Sequence, residues 1–211
     1  MERYLKKTIK TYNQIASSYV QATCTLQPKE EFSLFTQMIV SGKTVLDAGC
    51  GGGRDCKAFA ERGFHVIGID LSTEMLKIAK NLAPGCEFLQ ADLRKIPLDN
   101  ASVDGIWCCA SLLHLKRKDV YRALLEFKRV LKEKAVCCIL IKRGTGEKFV
   151  KDSRSLGKPR FYSYFQPGEV RMLCQSLGFD ILIEKASTDS QTKDAFNFLG
   201  EDWLYFLLQK P

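Results

Sequence analysis

The stretch Asp47-Ala48-Gly49-Cys50-Gly51-Gly52-Gly53-Arg54-Asp55 places an acid at the end of an apolar run, then a Gly-x-Gly-x-Gly turn, then a segment of helical composition. Glycines at such a junction let the backbone adopt positive φ and come close to a ligand. The helix that follows presents N–H groups with no partner in the helix. The pattern calls for a nucleotide-like ligand. Asp70 and Asp92 follow at similar intervals, each closing a short apolar run at Ile67-Gly68-Ile69-Asp70 and Phe88-Leu89-Gln90-Ala91-Asp92. A carboxylate offers two acceptor oxygens, which suit two adjacent hydroxyl donors and would repel a phosphate. The dinucleotide fingerprint Gly-x-Gly-x-x-Gly fails, because its third glycine falls on Arg54. The turn also lacks the lysine of a phosphate-binding loop.

The elements needed to hold these residues follow from hydrophobic patterning. From Lys43 onward short apolar runs alternate with amphipathic segments, the mark of a wound α/β sheet. Strands are expected at Lys43 to Ala48, His65 to Asp70, Glu87 to Gln90, Val103 to Cys109 and Ala135 to Ile141. Helices are expected at Arg54 to Arg62, after Ser72 as N-cap, and at Lys118 to Leu131. Arg143 to Phe165 has no sustained period and reads as a long lid or binding loop. Pro167 opens a further helix and Gly178 closes it. Phe179 to Glu184 and Glu201 to Gln209 read as two last strands in an antiparallel, hairpin-like edge. Lys7 to Val20 and Pro28 to Val40 read as helices of an N-terminal cover over residues 1–40, ahead of a main domain over 41–211.

Composition removes several classes of function. The chain has 211 residues, enough for one domain with appendages, and 45% apolar content argues against disorder. No apolar run approaches the roughly 18 residues of a membrane span, and the N-terminus has basic residues but no apolar core of a signal peptide, so a cytoplasmic protein is expected. Nine cysteines occur singly or as adjacent pairs, Cys108-Cys109 and Cys137-Cys138, without Cys-x-x-Cys, and there are only two histidines. Reduced, mostly buried thiols and no metal site are expected. The net charge of +8 concentrates in two runs, Lys116 to Lys134 and Lys142 to Arg160. The second could meet RNA phosphates, or serve as a solvated loop.

The motif set resembles the class I S-adenosylmethionine-dependent methyltransferases, from about Thr44 to the C-terminus. Asp47 with its glycines, Gly68-Ile69-Asp70-Leu71-Ser72, Gln90-Ala91-Asp92-Leu93, and Val103-Asp104-Gly105-Ile106-Trp107 with Cys108 to His114 fall in the order that family has. The resemblance implies a Rossmann-like, seven-stranded, mostly parallel sheet with an antiparallel edge strand and helices on both faces. It implies S-adenosyl-L-methionine as cofactor, with S-adenosyl-L-homocysteine as product. It assigns cofactor contacts to Asp47, Gly49, Cys50, Gly51, Gly53, Arg54, Asp70, Leu71, Met75, Asp92, Leu93, Cys109 and Tyr19. Asp70 would take both ribose hydroxyls and Asp92 the adenine amino group.

On the acceptor side, methyl transfer is an in-line displacement in which positioning does most of the work. His114 is the one group near neutral pH that the motif brings to the pocket, a candidate base. Tyr12, Arg160, Tyr162 and Tyr164 are candidate substrate contacts, the arginine for a carboxylate or phosphate. A small, anion-bearing substrate and a monomer are expected. Two other readings stand beside this one. One is a transfer RNA methyltransferase acting on modified uridine, which Tyr12 to Tyr19 and Arg160-Phe161-Tyr162 resemble. The other is a partner subunit that binds the cofactor without catalysis.

Overall fold

The computed structural model describes residues 1–39, 43–186 and 203–211. The expected boundary at residues 40 and 41, the end of the helix expected to reach Val40, the start of the last strand at Glu201 and the polar connection before it lie outside the described residues. Strands β1 (Thr44–Ala48), β2 (His65–Asp70), β3 (Glu87–Gln90), β4 (Val103–Cys109) and β5 (Leu131–Lys142) are joined in one sheet with β8 (Asp180–Ala186) and β9 (Trp203–Gln209). The order is β3-β2-β1-β4-β5-β9-β8. β1 to β5 are parallel, and β9 runs antiparallel between β5 and the outermost strand β8. β1, β4 and β5 are covered on both faces, which is why they read as unbroken apolar runs without alternation.

Helices α1 (Arg3–Thr23), α2 (Lys29–Gln37), α3 (Arg54–Ala60), α4 (Thr73–Leu82), α5 (Arg117–Val130) and α6 (Pro167–Ser176) surround the sheet. The Ser72 hydroxyl accepts from the Met75 N–H at 3.2 Å, the N-cap that the sequence predicts. α6 begins with Pro167 and a reciprocal bond pair between Gln166 and Glu169, a capping box. Phe32 and Phe35 of α2 close with Phe59 and Trp107 into an aromatic cluster, ring centroids 4.3 to 5.9 Å apart.

α1 lacks a side-chain N-cap, and its position depends on tertiary contacts. Tyr4 donates to Asp119 at 3.1 Å, the Thr11 hydroxyl to the Pro159 carbonyl at 2.7 Å, and the Ser72 hydroxyl to Asn13 Oδ1 at 2.6 Å.

Two expectations are corrected. β5 begins at Leu131, directly after α5, where a strand from Ala135 is expected. Leu131 pairs with Val103 before the register shifts to Gly105 and Val136, a bulge the pattern does not encode. The expected loop from Arg143 to Phe165 holds a hairpin of β6 (Glu147–Val150) and β7 (Arg160–Ser163). Phe149 and Phe161 meet edge to face across it, ring centroids 5.7 Å apart, and Asp152 Oδ1 accepts from the Ser155 N–H at 2.8 Å to tighten the connection. These cross-strand forces involve four-residue strands, too short to produce a periodic signal.

Glu31 of α2 has no solvent exposure and neither carboxyl oxygen has a hydrogen-bond partner among the described residues. Burial pushes its carboxyl above the ordinary range. The folded state thus holds a proton that the unfolded chain releases, and stability falls as pH rises past the ordinary carboxylate pKa. Glu31→Leu is expected to raise Tm by a few degrees at neutral pH and to flatten that pH slope. A lower Tm in the variant would show that the carboxyl is structurally used.

Candidate active site

The strand order reverses between β1 and β4, and a cleft of about 620 Å³ opens at the carboxyl ends of these strands, where open α/β sheets hold ligands. Its walls include Asp47, Gly49, Cys50, Gly51, Arg54, Asp70, Leu71, Met75, Asp92, Leu93 and Cys109, all expected cofactor contacts. Tyr19, Tyr12, Tyr162 and His114 line the same cleft.

The glycine turn is built by close approach. Gly49 has φ +87°, and a Cβ on it would lie 1.9 Å from Ser111 Oγ of the segment after β4. Gly51, φ +51°, has open space where a Cβ would project. Gly53 departs from expectation: it does not line the cleft, and a Cβ there would meet Ala79 of α4 at 2.9 Å. Its role is the left-handed N-cap of α3 and the packing of α3 on α4.

Asp70 ends β2 with Oδ2 accepting from the Gly51 N–H at 2.9 Å and Oδ1 from the Ser72 N–H at 2.8 Å. One carboxylate therefore ties the glycine turn to the start of α4, with lone pairs left over on each oxygen. Burial pushes its pKa up. Asp47 is 3% exposed and, among the described residues, its carboxyl accepts one hydrogen bond, from the Cys56 thiol at 3.2 Å. Burial, aided by the charge of Asp55, pushes its carboxyl up to about 8. A buried acid at a cleft wall with a single weak donor fits a ligand that carries positive charge. Asp92 is gripped by Arg94, Nε on Oδ1 at 3.0 Å and Nη2 on Oδ2 at 2.7 Å. Arg94 also bonds Glu2 at 2.7 Å, so this acid is linked to the start of α1.

Arg54 lines the cleft but is a structural strap. Its guanidinium takes both oxygens of Asp55, at 2.8 and 2.7 Å, and the Thr23 and Leu26 carbonyls at 3.2 and 2.7 Å. Asp55 further accepts from Trp107 Nε1 at 3.0 Å and Gln27 Nε2 at 3.1 Å. This hub, which fastens the α1–α2 connection over the cleft, has no motif in the sequence beyond an acid in the first turn of α3.

At the other end, the His114 Nδ1 lies 2.8 Å from the Phe161 carbonyl and Nε2 2.8 Å from the Tyr12 hydroxyl. A carbonyl only accepts, so Nδ1 carries the proton and Nε2 accepts from Tyr12. Burial, then the charge of Arg160, pushes His114 down to about 3. Arg160 is 1% exposed and lies behind the cleft wall, donating to Asp152 at 2.5 Å and to the Tyr12 hydroxyl at 3.0 Å. Tyr164 stands away from the cleft, its ring against Gly144 and the Lys148 ammonium at 5.2 Å. Lys148 of β6 and Lys151 just after it are exposed, while Lys142 and Arg160 are buried. All nine cysteines are free thiols, and the described residues contain no cluster of metal-ligating groups.

The strand order, the glycine turn leaving β1 and the acid closing β2 together define a class I methyltransferase fold. Residues 46–139 match the family described as a methyltransferase domain, and the fold is that of solved S-adenosylmethionine-dependent methyltransferases. It is similar to YqeM of Bacillus subtilis, 40% identical over 97 residues that cover 44% of this chain and 39% of that protein. It is also similar to malonyl-[acyl-carrier protein] O-methyltransferase of Hamiltonella defensa, 34% identical over 127 residues, 59% of this chain and 48% of that one. The chain thus spans half or less of the length of these curated relatives. Among solved structures it is similar to Burkholderia thailandensis 1,6-didemethyltoxoflavin-N1-methyltransferase, solved with bound 1,6-didemethyltoxoflavin and S-adenosylhomocysteine. That chain is 17% identical with a TM-score of 0.72, covering 100% of this chain and 91% of that one. No helix among the described residues is long and apolar enough to cross a membrane.

Proposed function

We propose that this protein transfers a methyl group from S-adenosylmethionine to an oxygen or nitrogen of a small, anion-bearing molecule. The observation that carries the cofactor assignment is the trio of Asp47, the glycine turn and Asp70 along one cleft. Asp47 would face the ammonium group, Asp70 the ribose hydroxyls, and Leu71, Met75 and Leu93 the adenine. Bound there, the cofactor supplies an electrophilic methyl on a sulfonium. The chain's own part is placement: Asp70 holds the turn open, and the Arg54–Asp55 strap and α1 roof the cleft against water. The relatives named for small-molecule and carrier-bound substrates support this acceptor class.

A thermal-melt comparison with S-adenosylhomocysteine, S-adenosylmethionine and NAD tests the assignment. Ligand at about 100 times its Kd adds roughly 2.7 kcal/mol, a rise of roughly 5–10 °C for a chain of this size. A rise with NAD alone, or with none of the three, would overturn it.

The Asp47 carboxyl gives a second expectation. In the free protein it holds its proton up to about pH 8, above its unfolded pKa, so the free protein loses stability as pH rises between these values. A cation bound beside it favours the carboxylate, so binding near pH 7 releases close to one proton and affinity rises with pH until about 8. Calorimetry in buffers of different ionisation enthalpy reads that proton. Its persistence in Asp47→Asn would assign it elsewhere.

A further inference from the structure

The opening turns of α1 hold four cations, Arg3, Lys6, Lys7 and Lys10, and the sequence has no acid between Glu2 and Glu30. All four are exposed, and the helical repeat puts them on one stripe, opposite the buried Tyr4, Leu5, Thr8 and Ile15. Arg3 and Lys7, and likewise Lys6 and Lys10, stand one turn apart as like charges. They also lie at the end of the helix where the peptide dipole is positive. Both effects oppose the helix in the free protein. Glu2, the acid that precedes them, has its two oxygens on Arg94 at 2.7 and 3.1 Å. None of the four cations has an ion-pair partner among the described residues. The basic run from Lys116 to Lys134 differs in this respect, since Arg117 pairs with Glu169, Arg129 with Glu126 and Lys132 with Asp104.

The hairpin sets an aromatic surface beside this stripe. Phe149 of β6 is 43% exposed, with the Lys7 ammonium 4.6 Å from its ring centroid and Phe161 meeting it edge to face. Phe161 packs in turn on Tyr4, centroids 4.5 Å apart, and the Lys116 ammonium lies 5.3 Å from the Tyr4 ring. Cations and rings therefore adjoin across one continuous surface. Hydrogen bonds hold its two halves together: the Thr8 hydroxyl accepts from the Phe161 N–H at 3.0 Å, and the Thr11 hydroxyl donates to the Pro159 carbonyl at 2.7 Å. Glu147, the acid of β6, is engaged by the Arg117 N–H at 2.7 Å.

Cations that repel one another without an acid in reach are complementary to a polyanion, and an exposed ring among them is complementary to one with planar groups. A single strand of nucleic acid has both, a phosphate at every residue and bases with open faces. We infer that the outer face of α1 and β6 docks a single-stranded nucleic acid, its phosphates on Lys6, Lys7 and Lys10 and one base stacked on Phe149. The Lys7 ammonium then moves from the ring to a phosphate as the base takes its place. Binding offsets the repulsion that the free helix carries. The strand lies on the roof of the cleft as a docking partner, and the methyl acceptor inside is a separate ligand.

The test is fluorescence anisotropy of an end-labelled oligouridylate of about 12 nucleotides with the full chain, without cofactor, from about 50 to 300 mM salt. Four phosphate contacts give a plot of log Kobs against log salt with a slope of about −3. The double variant Lys6→Gln, Lys10→Gln is expected to flatten that slope by about 1.4. Its Tm should be unchanged or higher, because like charges at the positive end of the helix are relieved. Phe149→Leu keeps an apolar side chain on Phe161 and gives up the flat ring. It should weaken oligouridylate binding about fivefold or more with the salt slope unchanged. Polyglutamate of the same length should bind more weakly and be insensitive to Phe149→Leu. Several results would overturn the proposal: no binding up to about 0.1 mM protein at the lowest salt, an unchanged slope in the lysine variant, unchanged affinity in Phe149→Leu, or tighter binding to polyglutamate or to phosphatidylserine vesicles. Both variants should bind S-adenosylhomocysteine as the unmodified protein does, so this outcome is read apart from the cofactor assignment.

Discussion

Asp70→Ala is expected to weaken S-adenosylhomocysteine binding by roughly ten- to 150-fold for each lost ribose hydrogen bond, at about 1.5–3 kcal/mol for a bond to a charged acceptor. The carboxylate has a second task, which sharpens the experiment. It accepts from the Gly51 and Ser72 N–H groups, so alanine also frees the glycine turn from the N-terminus of α4. Gly51 lies at the cleft wall, where water can replace the lost partner, whereas Ser72 is buried, so the fold should survive with a lower Tm. Asp70→Asn separates the two tasks. Its amide oxygen can still accept from one backbone N–H, but it no longer offers two equivalent acceptors to two hydroxyls. It should recover most of the Tm and little of the affinity. Calorimetric affinity beside a melt of the free protein reads both, and unchanged affinity in either variant would remove Asp70 from the ribose site.

The second large effect is on stability. Asp55→Ala leaves the Arg54 guanidinium, the Trp107 indole N–H and the Gln27 amide without their common acceptor. Burial opposes ionisation of Asp55, but the Arg54 charge and these donors outweigh it and hold the carboxyl below its ordinary range. Removing one partner of such a buried pair costs about 3–5 kcal/mol, because the remaining charge is left desolvated. For a chain of this length that corresponds to a fall in Tm of roughly 6–20 °C. The double variant Arg54→Met, Asp55→Leu should be more stable than Asp55→Ala alone, since it leaves no uncompensated charge. A fall of only a degree or two in Asp55→Ala, or a double variant less stable than the single, would show that the hub is not the clasp of the α1–α2 connection. Cofactor affinity should fall along with stability, because Arg54 ties the Thr23 and Leu26 carbonyls over the cleft.

His114 and Arg160 illustrate how a residue can be found by type and misjudged by role. Both are conspicuous in the sequence, one as a titratable ring after the fourth strand and the other as a cation in a basic run. In the folded chain the ring is pinned between Tyr12 and a main-chain carbonyl, and the arginine is enclosed by three tyrosines. Tyr12 is 102 residues from His114 and 148 from Arg160 in sequence. No local pattern carries such a contact. Tyr164 shares the aromatic run with Tyr162, yet it leaves the cleft because β7 ends at Ser163 and its carbonyl is taken by Arg117.

The sequence by itself determined the sheet and the glycine-turn end of its cleft. Strands buried on both faces read as apolar runs, Ser72 and Pro167 mark helix starts, and the glycine turn with Asp47 and Asp70 is a local arrangement of strand, turn and helix. These features arise from interactions within a few residues, or from burial that leaves a periodic trace. The tertiary structure alone decided the rest: the hairpin of β6 and β7, the packing role of Gly53, the Arg54–Asp55 clasp and the tyrosine ring around Arg160. Each depends on a side chain meeting a partner brought from a distant element, and only the assembled sheet with α1 across it brings those partners into contact.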